Sequence, residues 1–238
     1  MSDAAVAPEP VDGEVIDDQV AGGDAPEDDV TATDGRVIGR RAIQTRRRLL
    51  DVTAVLLAER GALDLKVIDV ARAVGASPAT FYQYFADVED AILALATELA
   101  TAVAPISSML DVDWSDAEGL DRAREFVAAY IRFWDDNGPV LRILMLRADD
   151  RDERFRAVRR AYSEPFMVAM VAKVRHAQGS GQLAAALDAE ATAGAVLAAL
   201  DRLPNYRQNF EKRGTSRDAM IETVARLAHT ALTGHPLR

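Results

Sequence analysis

Hydroxyl, amide and phenol side chains are concentrated in one short stretch of the chain, between Ser77 and Tyr84. Such groups at the start of an exposed helix can hydrogen-bond base edges and phosphates in the major groove of DNA, and the helix N-terminus itself favours phosphate. The stretch therefore predicts an element that reads nucleic acid. Its candidate contact residues are Ser77, Ala79, Thr80, Tyr82, Gln83 and Tyr84.

The sequence around this stretch predicts a helix-turn-helix. A short helix over residues 67–74 is followed by Gly75, which can form a tight turn, and Ser77-Pro78 is suited to begin a second helix over 78–84. The side chains that would lock the pair against the preceding helix are Val70, Val74, Phe81 and Phe85. An ordinary helical hairpin is the alternative, since short helix pairs are common in helical proteins.

The net charge of −10 is carried by the N-terminal end of the chain. Residues 1–34 hold eleven acids and no lysine, arginine or aromatic residue, and removing those eleven negative charges leaves +1 for the remainder. This composition predicts a disordered acidic tail. The block that follows is basic and its arginines are candidate phosphate contacts, with a solvated helix start as the alternative. These arginines are Arg36, Arg40, Arg41, Arg46, Arg47 and Arg48.

Composition and motifs exclude several functional classes. With no cysteine and three scattered histidines, we expect no disulfide, no metal site and no cofactor. No nucleophile elbow, phosphate loop or dinucleotide fingerprint occurs, so we expect no enzymatic activity. The first thirty residues lack a signal-peptide pattern, and no apolar run is expected to reach the ~18 residues of a membrane span. These observations predict a cytoplasmic protein with no membrane partner.

Helical periodicity dominates beyond residue 40, which predicts an all-α fold of about nine helices. A loop is predicted over residues 105–113. The run from Ser115 to Glu118 predicts a capping box that opens a helix over 118–136. Breaks are predicted at Asn137-Gly138-Pro139 and at Pro204, and a kink or a split of the helix at Pro165.

Three runs carry a resemblance to a known family: TRRRLLD from Thr45, ERG from Glu59, and VIDVARAVGASPATFYQYFAD from Val67. Over residues 40–100 the chain resembles the N-terminal domain of TetR-family transcriptional regulators. The match is most specific from Gly75 to Phe85. In that family's recognition helix, Ser77, Ala79, Thr80 and Gln83 match groove-facing positions, while Tyr82 and Tyr84 match positions that contact phosphate or base edges.

The resemblance implies a three-helix DNA-binding domain over residues 35–104 and a larger helical domain for effector binding and dimerisation over 105–238. It further implies a homodimeric, nucleoid-associated repressor that binds a palindromic operator in double-stranded DNA. A small effector would release it by favouring a second dimer state in which the reading heads no longer fit the operator.

Three residues depart from the family pattern. Leu65 stands where a threonine usually caps the second helix, Ile68 replaces a basic or polar residue, and Val88 replaces a lysine that often opens the fourth helix. The last two departures remove expected phosphate contacts, for which Lys66 and the arginine block are the candidate compensation. A helical protein-interaction module with weakened or lost DNA binding is therefore the alternative function.

Aromatic and methionine side chains recur between residues 126 and 170, and four of them share one helical face. Core packing is the alternative for each residue taken singly. Together with a few polar groups they predict an apolar cavity for a small hydrophobic effector. The candidate lining residues are Phe126, Tyr130, Phe133, Trp134, Arg142, Met145, Tyr162, Phe166, Met170 and Tyr206.

The last two long helices are the candidate homodimer interface. The helix predicted over residues 188–203 is rich in small residues, chiefly alanine, which allow close helix approach, and the helix over 217–233 carries an apolar stripe that must be covered. Packing within one chain is the alternative.

Overall fold

The computed structural model describes residues 39–62 and 64–236, which form helices and no strands. The predicted all-α class is confirmed, whereas residues 1–34 and Arg36 lie outside the described residues. The nine α-helices of the described part are α1 (Arg40–Arg60), α2 (Val67–Ala73), α3 (Pro78–Tyr82), α4 (Val88–Ala102), α5 (Ala104–Ser107), α6 (Gly119–Asp149), α7 (Glu153–Gly179), α8 (Ala189–Glu211) and α9 (Arg217–Thr233).

Helices α1 to α3 form the predicted helix-turn-helix unit. Gly75 makes the turn after α2 with a φ of 72°, a conformation that favours glycine. Ser77 caps α3, because its hydroxyl accepts a hydrogen bond of 3.2 Å from the Thr80 amide, and Pro78 takes the first helical position. The buried residues that join the three helices include Leu49, Leu50, Val70, Phe81 and Phe85.

Helix α4 links this unit to the remaining helices. Asp87 begins it by accepting a hydrogen bond of 2.7 Å from the Asp90 amide, and Ala91, Ile92 and Leu95 are buried against α1, α6 and α7. By length and composition the segment Val88–Leu110 would suffice to cross a membrane. The expectation that no apolar run approaches this length was therefore wrong for this segment. Some of its apolar side chains pack α4 between the helix-turn-helix unit and the C-terminal helices.

Several predicted boundaries were wrong. Residues 105–113 are not one loop, because α5 and a 3₁₀ helix over Ser108–Leu110 occupy most of them. The capping box does not form: the Ser115 hydroxyl bonds Asp113 at 2.8 Å, and Asp116 instead accepts from the Glu118 amide at 3.0 Å. Short Asx contacts between neighbouring residues replace the box, and α6 begins at Gly119.

None of the three prolines at which an interruption was predicted breaks its helix: Pro139, Pro165 and Pro204 lie inside α6, α7 and α8. Around Pro139, Gly138, Val140 and Leu141 are all buried, so the apolar stripe of α6 continues through the proline and offsets the lost backbone hydrogen bond. Pro204 lies inside α8, which is held to α6 on both sides of it. Asp201 bonds Tyr130 before the proline, and Arg207 pairs with Asp135 at 2.6 Å after it.

Helices α6 to α9 pack around one apolar core. Most rings of this core come from α6 and α7, Trp114 comes from the segment before α6, and α9 closes the core along α6. Arg124 of α6 pairs with Glu222 of α9 at 2.6 Å, and this guanidinium lowers the pKa of the Glu222 carboxyl to about 2.

Gly119→Ala should destabilise the fold. A Cβ at this position would overlap the Trp114 backbone carbonyl, whereas a Cβ at Gly179, the matched control, meets nothing within 4 Å. We expect a loss of about 1–3 kcal/mol in the free energy of unfolding for Gly119→Ala. Gly179→Ala should be neutral or stabilising by up to about 1 kcal/mol. Urea denaturation of both variants measures this, and equal stabilities would contradict the contact.

Candidate DNA-binding surface and neighbouring cavities

Helix α3 presents the predicted reading residues in two groups. Ser77, Ala79 and Gln83 are exposed, whereas Thr80 and Tyr84 are half-buried. The Ser77 and Thr80 hydroxyls lie 3.0 Å apart, and Ser77 also caps the helix. The local cap thus fixes the position of the helix start, and the exposed side of α3 combines a methyl group with a neutral amide.

Tyr82 occupies a different side of α3. Its ring is 53% exposed and lines a cavity between α3 and α6 rather than packing into the core. Phe81 contacts it edge-on, with the ring centroids 6.1 Å apart. Tyr82 is therefore positioned at the margin of the candidate DNA-binding surface, next to the C-terminal helices.

The arginine block separates into solvent-facing and structural members. Arg40 and Arg41 are exposed at the start of α1. Arg46 lies over the Phe85 ring, 5.1 Å from its centroid. Arg47 pairs with Asp51 and with Glu98 of α4, each at 2.6 Å, and thereby joins α1 to α4. The Asp51 pair is visible in the sequence as an i, i+4 spacing, but the Glu98 pair depends on the fold.

Arg48 is also committed to the fold, because it donates a hydrogen bond of 3.2 Å to the Val74 carbonyl at the end of α2. This contact satisfies a backbone acceptor that the helix end leaves open. Among the described arginines of this block, Arg40 and Arg41 are therefore the ones whose exposed side chains are not engaged by a contact within the fold.

The start of α2 carries no side-chain cap. The capping position is Lys66, which makes no side-chain cap hydrogen bond, and the preceding Leu65 is buried. The predicted capping position, Leu65, was therefore one residue too early. Lys66 is exposed, as a phosphate contact requires, and the structure gives Leu65 a packing role instead.

The predicted effector residues form a closed aromatic cluster between α6 and α7. Phe126, Tyr130, Tyr162 and Phe166 are fully buried, and their neighbouring rings lie 5.3–6.2 Å apart between centroids. Trp134 and Met170 are buried with them, while Phe133 and Met145 are partly buried. Arg142 and Tyr206 are exposed instead.

A polar network crosses this cluster. The Tyr162 hydroxyl donates to the Tyr130 hydroxyl at 2.9 Å, and Tyr130 donates to the Asp201 carboxylate of α8. Burial raises the pKa of Asp201 to about 6, although Tyr130 and Arg159 oppose the shift, and burial also raises the pKa of Tyr130. Sequence reasoning missed Asp201, which is 71 residues from Tyr130; its one signal was a lone carboxylate after an uncharged run over 191–200.

Helices α8 and α9 present a shared face with a cavity of about 790 Å³. Alanines of α8 line it, and Leu187 and Leu227 are 48% and 54% exposed at its edges. The alanines of α8 concerned are Ala191, Ala195 and Ala199. The face is thus apolar and open in the single chain.

A smaller cavity of about 460 Å³ lies beside Trp114. Lys173 there donates to the Val112 carbonyl at 2.5 Å and lies 4.8 Å from the Trp114 ring centroid. Burial lowers the pKa of Lys173 to about 8, against the pull of Asp113 and Asp111. The side chain thus fastens the loop before α6 to α7. Within the described ranges, no three potential metal ligands are grouped.

Two family models match the chain. Residues 49–96 match the one described as "Bacterial regulatory proteins, tetR family", and residues 106–237 match "Tetracyclin repressor-like, C-terminal domain". The first match contains the helix-turn-helix unit, and the second contains the aromatic cluster and the α8–α9 face. Together the two matches extend over most of the residues that the structure describes.

Several solved structures share the fold of this chain. Salmonella enterica GusR aligns with a TM-score of 0.59 at 20% identity, covering 80% of this chain and 96% of that one. The fatty acid degradation regulator FadR from Bacillus halodurans gives 0.58 at 17%, covering 83% and 97%. Bacillus subtilis FadR in complex with stearoyl-CoA gives 0.57 at 14%, covering 80% and 99%.

Asp201→Asn should remove a pH-dependent penalty on stability. Because the pKa of Asp201 is raised from 3.8 to about 6, the folded protein retains a proton that the unfolded chain releases between these values. The free energy of unfolding therefore falls as pH rises through that window, by roughly 3 kcal/mol in total. Asparagine keeps an acceptor for Tyr130 and does not ionise.

As the pH is raised from about 4 to about 7, the free energy of unfolding of Asp201→Asn should increase by roughly 2–3 kcal/mol relative to that of the native chain. Urea denaturation at these two pH values measures the difference. Asp136→Asn, a change of an exposed acid on α6, is the control and should show no comparable gain. A stability difference that is the same at both pH values would contradict the burial of the Asp201 charge.

Proposed function

Because the chain belongs to the TetR family of bacterial regulatory proteins, and is thus a DNA-binding transcriptional regulator and not an enzyme, we propose that it is a homodimeric repressor released from a palindromic operator by a small hydrophobic effector. We assign DNA binding to residues 35–104 and effector binding and dimerisation to 105–238. A cytoplasmic, nucleoid-associated location accords with this role.

The observation that carries this proposal is the capped, exposed start of α3. Ser77 fixes the first turn through its bond to Thr80, so Ala79 and Gln83 project from a helix of defined direction. A glutamine can form paired hydrogen bonds with adenine in the major groove, and an alanine methyl can contact thymine. We assign base reading to these two residues, and phosphate contacts to the margin of the surface.

The phosphate contacts that we propose come from Arg40, Arg41 and Lys66, which are exposed. Ser77, Thr80, Tyr82 and Tyr84 complete the proposed set as hydroxyl donors at the two sides of α3. Arg46 and Arg47 already have partners within the fold, so their contribution to DNA binding is chiefly to hold α1 in place.

The open α8–α9 face supports dimerisation. Small side chains line it, and exposed leucines at its edges would lose their contact with water if a second copy covered it. A twofold dimer would place two copies of α3 in major grooves roughly 34–36 Å apart, which is the geometry that a palindrome requires.

The aromatic cluster supports a hydrophobic effector in the C-terminal domain. Its rings fill their own space in this structure, so an effector would have to displace some of them. Tyr130 and Tyr162 would then offer hydroxyls to it, and Asp201 an acceptor. The fold's occurrence in a FadR bound to stearoyl-CoA is consistent with a largely apolar ligand. Displaced rings on α6 and α7 would press on α4, which carries the DNA-binding unit.

Gln83→Ala and Arg41→Ala should weaken DNA binding in different ways. Loss of a paired base contact should weaken specific binding by about 1–3 kcal/mol, or about 5- to 150-fold, and leave non-specific binding unchanged. Loss of a phosphate contact should weaken both and reduce the salt slope by about one. Gel-shift titrations at two salt concentrations, against the DNA flanking the coding region with excess competitor, measure these effects.

Arg160→Ala, a change of an exposed arginine on α7, is the control for these titrations and should leave both affinities unaltered. Binding by the native protein that disappears with competitor at every flanking sequence would count against a local operator. Equal losses on specific and competitor DNA for Gln83→Ala would count against base reading by this residue.

Ala195→Arg should prevent dimerisation. The substitution places a charge in the middle of the α8–α9 face, where a close helix approach has no room for a long side chain. Light scattering coupled to size exclusion should give the mass of one chain for Ala195→Arg and of two for the native protein. Ala157→Arg, on an exposed position of α7, is the matched control and should remain dimeric. A dimeric Ala195→Arg would contradict this interface.

A further inference from the structure

A cavity of about 870 Å³ lies at the joint between the helix-turn-helix unit and the C-terminal helices. We call it the joint cavity. One wall comes from α2, α3 and the start of α4, and the other from the last turns of α6. Its volume lies within the range of about 300–1,000 Å³ that is usual for small-molecule sites.

Both walls of the joint cavity expose large apolar side chains. Ile68 of α2 is 49% exposed, Tyr82 of α3 is 53% exposed and Leu146 of α6 is 55% exposed, and all three line this cavity. Val88 and Ile143 add to the same lining. Apolar side chains that converge from three helices without covering one another mark a ligand site more often than a scattered surface does.

Two of the residues that depart from the family pattern meet here. Ile68 and Val88 stand where polar or basic side chains are usual, and the structure brings both into the lining of the joint cavity. As separate changes they would only weaken phosphate contacts. As neighbours in one cavity they have a shared consequence, which is an apolar surface beside the DNA-reading helix.

Four charged side chains line the joint cavity, and one of them, the Lys66 ammonium group, is available to a ligand. Glu89 is neutralised by Arg147 and by Arg154, the latter at 3.6 Å. Asp87 is engaged as the cap of α4. Lys66 is exposed and forms no ion pair within the described part of the chain. A ligand with an apolar body and one negative charge is therefore complementary to the cavity, because its charge can reach Lys66.

We propose that the joint cavity is a second binding site, distinct from the aromatic cluster, for a small apolar molecule that carries one carboxylate, and that its occupant opposes DNA binding. The second half rests on the proposed function, since the occupant would contact Tyr82 and Lys66, which are assigned to the DNA-binding surface. The occupant would also fill the space between α2 and α6, and so fix the angle between the helix-turn-helix unit and the C-terminal domain.

Photolabelling locates the site on the full-length protein without DNA. The probe is dodecanoate carrying an aliphatic diazirine near its chain end, and labelled peptides are mapped by mass spectrometry. We expect label in the peptides that contain Ile68, Tyr82 and Leu146. Label confined to the aromatic cluster of α6 and α7, or to the α8–α9 face, would overturn the proposal. This test is independent of DNA, so a failure of the proposed DNA-binding function leaves its outcome readable.

Variants at exposed positions test the chemistry of the site. Leu146→Gln should weaken dodecanoate binding about tenfold by calorimetry, because it removes apolar contact area. Val168→Gln, a change of an exposed residue on α7 that is 60% accessible, is the matched control and should bind like the native protein. Lys66→Gln should weaken binding of dodecanoate but not of dodecanol. Equal effects on both ligands would overturn the role of the carboxylate.

The regulatory half is tested on operator DNA. Dodecanoate should weaken DNA binding by the native protein and by Val168→Gln, while Leu146→Gln should bind DNA normally and respond about tenfold less to dodecanoate. Labelling of the joint cavity with no change in DNA affinity would overturn the regulatory half. An equal response in Leu146→Gln would assign the effect to another site.

Discussion

The packing of α4 between the two units is the constraint on which the rest of the structure depends. Its buried side chains contact α1 on one side and α6 and α7 on the other, while Arg47 of α1 pairs with Glu98 on its surface. A close-packed helix cannot absorb a displacement without passing it on. Any rearrangement of the C-terminal core therefore changes the setting of α1, and with it the position of α3.

The two candidate ligand sites act on this helix from different places. The aromatic cluster lies within the core, where the buried charge of the Asp201 carboxylate is costly although the Tyr130 hydroxyl donates to it. The joint cavity lies beside the first turn of α4, where Val88 and Ile92 line its wall. An occupant of the aromatic cluster would change the core against which α4 packs. An occupant of the joint cavity would change the space available to the helix-turn-helix unit.

The helix-turn-helix unit could be predicted because its contacts join residues close in sequence. The C-terminal core could not, because its contacts join residues far apart in sequence. The Ser77 cap, the Gly75 turn and the buried Phe81 follow from residues within a few positions of one another. Pro139 did not break α6, because buried residues on both sides of it continue the helix, which no local rule reveals. Asp201 was not predicted as a site residue because its partner Tyr130 belongs to another helix, 71 residues away in the sequence.

The distribution of positive charge on the helix-turn-helix unit determines how strongly an occupant of the joint cavity would affect DNA binding. Arg46 and Arg48 are held by contacts within the fold, and the charge of Arg47 is offset by Asp51 and Glu98. Each phosphate contact contributes a salt-dependent increment, and a surface with few of them relies more on its base contacts and on each remaining cation. Lys66 is one of these cations and lies at the mouth of the joint cavity. A small anionic occupant would therefore offset one of the cations on which the proposed DNA binding depends.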